Sequence, residues 1–213
     1  EISKFPLKAT DICGLAQDST LFRDLLKASW DDKASAKDLC SVAISLAKLR
    51  CGSESLDDFA QHFVEQSLEE LETIDVSSLA NAFSRVSCRN TAFLQRLGDR
   101  LCADASSTLL PPVVTTMALN AFAVLKHCDR ELFTVLVTHA VRPCVADFTI
   151  TQAALAVDAL ARCSEVTEDM ASDIFRSFVQ RWLLQGSLED AEAEDLAHLS
   201  NSAVKLNILE DNE

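Results

Sequence analysis

The sequence predicts an all-α protein, an α-solenoid of about four to five stacked helical hairpins, on three observations. Turn and strand chemistry is scarce: the 213 residues include 4 Gly, 4 Pro and no Tyr. An all-β chain spends Gly and Pro on frequent turns and fills its strands with aromatics. Hydrophobic residues make up 48% of the chain, and they recur at helical spacing. Third, one helical pattern returns five times.

The copies begin at Leu39, Val76, Thr115, Ala153 and Leu196, a period of 37–43 residues. Each carries apolar side chains at its fourth, eighth and eleventh positions. Val42, Leu79, Ala118, Ala156 and Leu199 form the first column. Leu46, Phe83, Phe122, Leu160 and Ala203 form the second, and Leu49, Val86, Leu125, Cys163 and Leu206 the third. Steps of four and three residues make one buried helical stripe. The seventh position is always small: Ser45, Ala82, Ala121, Ala159 and Ser202. Small residues at a fixed place let neighbouring helices approach closely. Each repeat is thus expected to bury its face on the next.

A second helix is expected after each of the first four copies. Phe59-Ala60-x-x-Phe63-Val64 recurs as Phe93-Leu94-x-x-Leu97-Gly98, as Leu132-Phe133-x-x-Leu136-Val137 and as Ile174-Phe175-x-x-Phe178-Val179. An earlier match, Leu21-Phe22-x-x-Leu25-Leu26, implies a capping half-repeat over 1–34, with the repeat array over 35–187. Short polar links are expected at Cys51–Ser55 and Cys128–Arg130. Asp75 and Thr149 are the expected caps of their helices, and Pro111 or Pro112 suits a first turn. Residues 188–213 read as an acidic solvated loop (Glu189 to Asp195), a capping helix and a loose tail.

The remaining features mainly exclude. A formal net charge of −14 disfavours a general polyanion binder. The longest uncharged segment, Leu109 to Leu125, is interrupted by two prolines and Asn120 and reads as a buried helix, not a membrane span. The chain starts at Glu1, as expected of a processed or trimmed product. Its 8 Cys form no C-x-x-C pair and its 4 His add no ligand spacing, so reduced structural thiols in a reducing compartment are expected, with no metal or cofactor. No phosphate-binding, metalloprotease or nucleophile-elbow motif is present, and the expectation is a protein that is not an enzyme.

The stretch Leu79-Ala-Asn-Ala-Phe-Ser-Arg-Val86 resembles the L-A-N-x-x-x-A-x-A-K-L core of heptatricopeptide and octotricopeptide repeats. Leu46-Ala-Lys-Leu49 and Leu119-Asn-Ala-Phe-Ala-Val-Leu125 carry the same likeness, which covers roughly Ser35 to Asn207. The resemblance implies organellar RNA biology: a mitochondrial location, and a scaffold role in a ribonucleoprotein such as the mitochondrial ribosome. The partners implied are other proteins of a large complex, and rRNA. Two features depart from such proteins: no RAP-like segment occurs in these residues, and their balance is acidic rather than basic.

One further column holds the candidate binding residues. The sixth positions of the copies are Ile44, Asn81, Asn120, Asp158 and Asn201; one turn on lie Lys48, Arg85, Val124, Arg162 and Lys205. A carboxamide offers donor and acceptor to a base edge while cations meet phosphates, so Asn81/Arg85, Asn120, Asp158/Arg162 and Asn201/Lys205 with Lys48 form a candidate RNA or partner surface. The same residues also suit hydrogen bonding between stacked helices with no ligand, and Asp158–Arg162 is an ordinary i, i+4 pair. A protein–protein adaptor without RNA contact would use the same surface.

Overall fold

The computed structural model describes residues 35–49, 53–63, 68–185 and 191–208. Among these residues there are nine α-helices and no strand. They are α1 (Ala36–Lys48), α2 (Ser53–Phe63), α3 (Thr73–Arg85), α4 (Thr91–Ser107), α5 (Pro112–Leu125), α6 (Arg130–Leu136), α7 (Ile150–Arg162), α8 (Glu168–Gln185) and α9 (Ala193–Lys205). The five copies of the sequence pattern fall on α1, α3, α5, α7 and α9. Each of these first helices packs on the next: α1 on α3, α3 on α5, α5 on α7 and α7 on α9. Between them lie α2, α4, α6 and α8, of which α4 packs on α6. The predicted half-repeat at 1–34 lies outside the described residues, as do 186–190 and 209–213.

Burial follows the columns. The central stripe of Leu46, Phe83, Phe122, Leu160 and Ala203 is buried throughout. The small column is buried at Ala82, Ala121, Ala159 and Ser202, where one first helix meets its neighbour, and Ser45 is exposed. Aromatic rings fill the space between the two rows: Phe93 sits edge-on to Phe59 and Phe63, with its centroid 4.9 Å from that of Phe83. Three positions of the expected stripe are less than fully buried: Leu49 is 39% exposed at the end of α1, and Val42 and Val86 are half-buried. Leu196, the first residue of its copy and outside the stripe, is 46% exposed on α9. Leu39 and Val76, which match Leu196 in earlier copies, are buried, and each of their helices packs on a following first helix, whereas none follows α9 among the described residues.

Three of the five first helices, α3, α5 and α9, end in the same way. Ser87, Lys126 and Asn207 all take left-handed backbone angles, with φ of 55°, 56° and 50°. Each stands one residue beyond the third apolar column. The amide after each donates to a carbonyl five residues back: Cys88 to Phe83, His127 to Phe122 and Ile208 to Ala203, at 3.0–3.1 Å. These are Schellman turns that satisfy the last carbonyls of α3, α5 and α9 without glycine. The chain accepts the Cβ crowding of a left-handed residue three times over.

An arginine staple, invisible in the sequence columns, closes the other end. Arg100 of α4 donates to the carbonyls of Leu68 and Leu71 at 2.7 and 3.1 Å and pairs with Asp104 at 2.9 Å. Arg181 of α8 donates to the carbonyls of Val145 and Phe148 at 2.6 and 2.8 Å. Both reach back to the segment that leads into the first helix of their own hairpin. The Leu68 carbonyl also accepts the Leu71 amide at 3.2 Å, so Arg100 gives it a second donor and helps satisfy the polar backbone of an irregular segment.

Several local expectations are corrected. Thr149 caps α7 as expected, forming a capping box with Gln152, and Pro112 occupies the first turn of α5. Asp75 does not cap α3: that helix begins at Thr73 after Glu72, so Asp75 lies inside the first turn. Its Oδ2 is the one buried side-chain oxygen among the described residues without a hydrogen bond. The links also shift, since α2 already begins at Ser53, and Lys126–Asp129 joins α5 to α6. The acidic stretch is not all loop. Glu194 and Asp195 lie in the first turn of α9, and the buried Asp195 accepts a hydrogen bond from Thr151 at 3.1 Å.

The expectation of thiols alone fails at one pair. Cys128, in the link after α5, and Cys163, at the end of α7, form a disulfide with Cα atoms 5.7 Å apart. Stacking of α5 on α7 brings together residues 35 positions apart in the chain. Cys40, Cys88, Cys102 and Cys144 are free thiols. Burial pushes Cys40 up to about 12 and Cys88 up to about 11, so both stay protonated and act as apolar fillers. Reduction is expected to lower stability by about 2–4 kcal/mol, because the open chain regains loop entropy when unfolded. Thermal melts with and without a dithiol reductant check this; a Cys128→Ser/Cys163→Ser variant should melt like the reduced protein and ignore the reductant.

Candidate functional site

The predicted column divides into two halves with different chemistry. In the carboxy-terminal half the residues spend their hydrogen bonds on one another. Asp158 of α7 is buried, its side chain only 9% exposed, and it is surrounded by donors. Arg162 Nη2 lies 3.0 Å from one carboxylate oxygen, with His198 Nδ1 at 3.6 Å from the same oxygen, and Lys205 Nζ lies 3.3 Å from the other. Arg162 Nη2 also donates to Asn120 Oδ1 on α5 at 2.8 Å. One carboxylate and one guanidinium therefore tie α5, α7 and α9 together. A buried carboxylate needs such company. Asn201 is exposed on α9 and outside the network.

In the amino-terminal half the equivalent residues have no such counterion. Ile44, the first copy's sixth residue, is apolar, and Val124 stands where a third cation would. Lys48 at the end of α1 and Arg85 at the end of α3 are exposed, and neither makes an ion pair among the described residues. With the half-buried Asn81 they line a groove of about 200 Å3 across α1, α3 and α5. Ser78 adds a hydroxyl, while Ile44 and Met117 supply apolar walls. The buried Ala82 of the small seventh column also lines the groove.

The column predicted from the repeats thus contains Lys48, Asn81 and Arg85 as one open cluster, and Asn120, Asp158, Arg162 and Lys205 as one closed network. It omits Ser78, Met117 and His198. All three occupy the third position of their copies, one turn before the sixth, so helical periodicity could have found them.

A second cleft of about 210 Å3 lies between α4 and α6, where Asp99, Cys102, His127, Asp129 and Glu131 come close. Burial and the carboxylates of Glu131, Asp129 and Asp99 push the Cys102 thiol up to about 11, leaving it protonated near neutral pH. Burial holds His127 below the usual imidazole range. The acids already have work: Asp129 caps α6 through the Leu132 amide at 3.0 Å, and Asp99 accepts from Gln95 at 2.9 Å. Among the described residues no group of three His, Cys, Asp or Glu is placed to hold a metal ion, and no helix is long and apolar enough to cross a membrane.

Set against protein-family models, curated proteins and solved structures, the chain matches none. The functional reading therefore rests on the chain's own residues and on the repeat resemblance.

Proposed function

We propose that this protein is a non-catalytic helical-repeat scaffold, an α-solenoid of four to five hairpins that docks partners along the outer face of its first helices. The solenoid reading is supported by the unbroken run of contacts α1–α3–α5–α7–α9 and by the Schellman turn that recurs at the same position of three copies. The binding reading is carried by one observation: Lys48 and Arg85 stand without ion-pair partners among the described residues, beside Asn81, on a chain of net charge −14. Where the column has a structural duty, as at Asp158, every cation is engaged.

The proposed setting is a large assembly, a mitochondrial ribonucleoprotein such as the ribosome, in which the chain contacts protein and rRNA neighbours. That setting rests on the repeat resemblance. The Cys128–Cys163 disulfide removes the cysteine argument for a reducing compartment. An adaptor in another complex, without RNA contact, is the alternative, and the acidic balance favours it.

Density-gradient sedimentation of the tagged full chain from its native source tests the scaffold reading. The wild type is expected to travel with a large particle, and Lys48→Glu/Arg85→Glu to shift toward the free fractions. Slow sedimentation of both as free protein would count against a scaffold.

A further inference from the structure

The groove between α1, α3 and α5 has a character that selects among partners. Its charge is local: Lys48 and Arg85 occupy matching positions on adjacent helices, one repeat apart. Along the same column the next residue is Val124, 39% exposed, and after it Arg162 and Lys205 are both engaged by Asp158. The cationic strip therefore stops after two residues. Its walls are mixed, with Ile44 and Met117 apolar and Asn81 and Ser78 polar.

We propose that this groove receives an acidic, amphipathic segment of a protein partner. A carboxylate of that segment sits between Lys48 and Arg85, where the two cations and the Asn81 amide supply donors. An apolar side chain beside it covers Ile44 and Met117. The proposal rests on the scaffold reading and names the partner of its docking face.

Charge complementarity supports a short acidic peptide over a nucleic acid. A polyphosphate chain gains affinity from each phosphate neutralised, and it needs cations that track its backbone. Here the track ends at Val124. The net charge of −14 opposes a long polyanion, whereas one or two carboxylates meet mainly the nearby cations. Single strands also stack on exposed aromatic rings, and no aromatic side chain figures among the exposed large hydrophobic residues of the described chain. An apolar wall, of no use to a phosphate, fits the alternating side chains of a peptide.

Fluorescence anisotropy of the full chain with three labelled probes provides the test: a short alternating Glu-Leu peptide, its Lys-Leu counterpart, and a short oligouridylate. The Glu-Leu peptide is expected to bind saturably and to weaken as salt rises. Lys48→Glu/Arg85→Glu should weaken it about tenfold or more, Asn81→Ala by less, and Arg130→Glu on α6 should leave it unchanged. Lys48 and Arg85 are exposed, so circular dichroism of the double variant should match wild type, and Lys48→Met/Arg85→Gln gives a milder pair with the same expected direction. Absence of saturable Glu-Leu binding, equal binding of the Lys-Leu peptide, or insensitivity to the double variant overturns the proposal. Tighter oligouridylate binding that is lost in the same variant overturns it in favour of RNA. If the double variant leaves the large particle in the gradient while Glu-Leu never binds, this proposal fails and the scaffold reading stands.

Discussion

Phe122→Asp is expected to abolish the folded state of α5 and of the helices stacked on it. Phe122 is fully buried in the central stripe, its ring 5.9 Å from that of His127, and its carbonyl accepts the Schellman bond of its own helix end. Removing a buried phenyl ring alone costs about 3–5 kcal/mol. An unpaired carboxylate in the same place adds several kcal/mol. Together these approach the whole stability of an ordinary domain, about 5–15 kcal/mol. Phe122→Ala separates the two contributions: it should remain folded with a lowered Tm. Hydrogen exchange on the Asp variant should lose protection first in α3, α5 and α7, because α5 packs directly on the other two. A variant that melts within about 2 °C of wild type would place Phe122 outside the core.

Asp158→Ala is expected to destabilise the protein by about 2–3 kcal/mol. The buried carboxylate is the common partner of Arg162, Lys205 and His198, and the Arg162–Asn120 bond leans on the same guanidinium. Breaking a fully buried pair costs about 3–5 kcal/mol. Here Arg162, Lys205 and His198 are 30–43% exposed and recover water when abandoned, which lowers the expectation. For a chain of this length the loss corresponds to a Tm fall of roughly 5–10 °C. A double-mutant cycle of Asp158→Ala with Arg162→Ala should give a coupling of about 1–2 kcal/mol. Additive effects would mean that the two residues act independently and that the network does not tie α7 to its neighbours. Neither variant should alter Glu-Leu binding in the amino-terminal groove if the two halves of the column are independent.

The two halves show where one sequence pattern serves two purposes. Asn81 and Asn120 occupy the same position in their copies, as do Arg85 and Val124 one turn later. On those grounds a single continuous surface is the natural expectation. The third dimension separates them, because a carboxylate at Asp158 gathers the cations of its own and the next copy. No equivalent acid stands at Ile44 or Asn81, so Lys48 and Arg85 are left facing outward.

The cysteines make the same point from another side. Spacing along the chain offers no reason to pair Cys128 with Cys163, since neither belongs to a short motif. They meet because α5 and α7 are neighbours in the stack and both cysteines lie at the same end of it. Arg100 and Arg181 likewise look like ordinary charged positions on amphipathic helices. Their role, holding the carbonyls of a preceding turn, depends on the return path of the chain.

The sequence by itself determined the helical class, the period, the buried stripe and the small residues at which first helices touch. Those properties follow from local periodicity: residues spaced by three and four must share a face, and that face must be covered. Only the tertiary structure decided which polar residues were consumed by their neighbours and which remained available. Arg162–Asp158 is an i, i+4 pair that spacing on one helix does encode, whereas Arg162–Asn120 and Lys205–Asp158 join side chains 42 and 47 positions apart, which no such spacing encodes. The scarcity of Gly and Pro gains a fuller meaning as well. Schellman turns at Ser87, Lys126 and Asn207 end three helices without glycine, because a repeated hydrogen-bonded turn compensates the backbone for a left-handed residue.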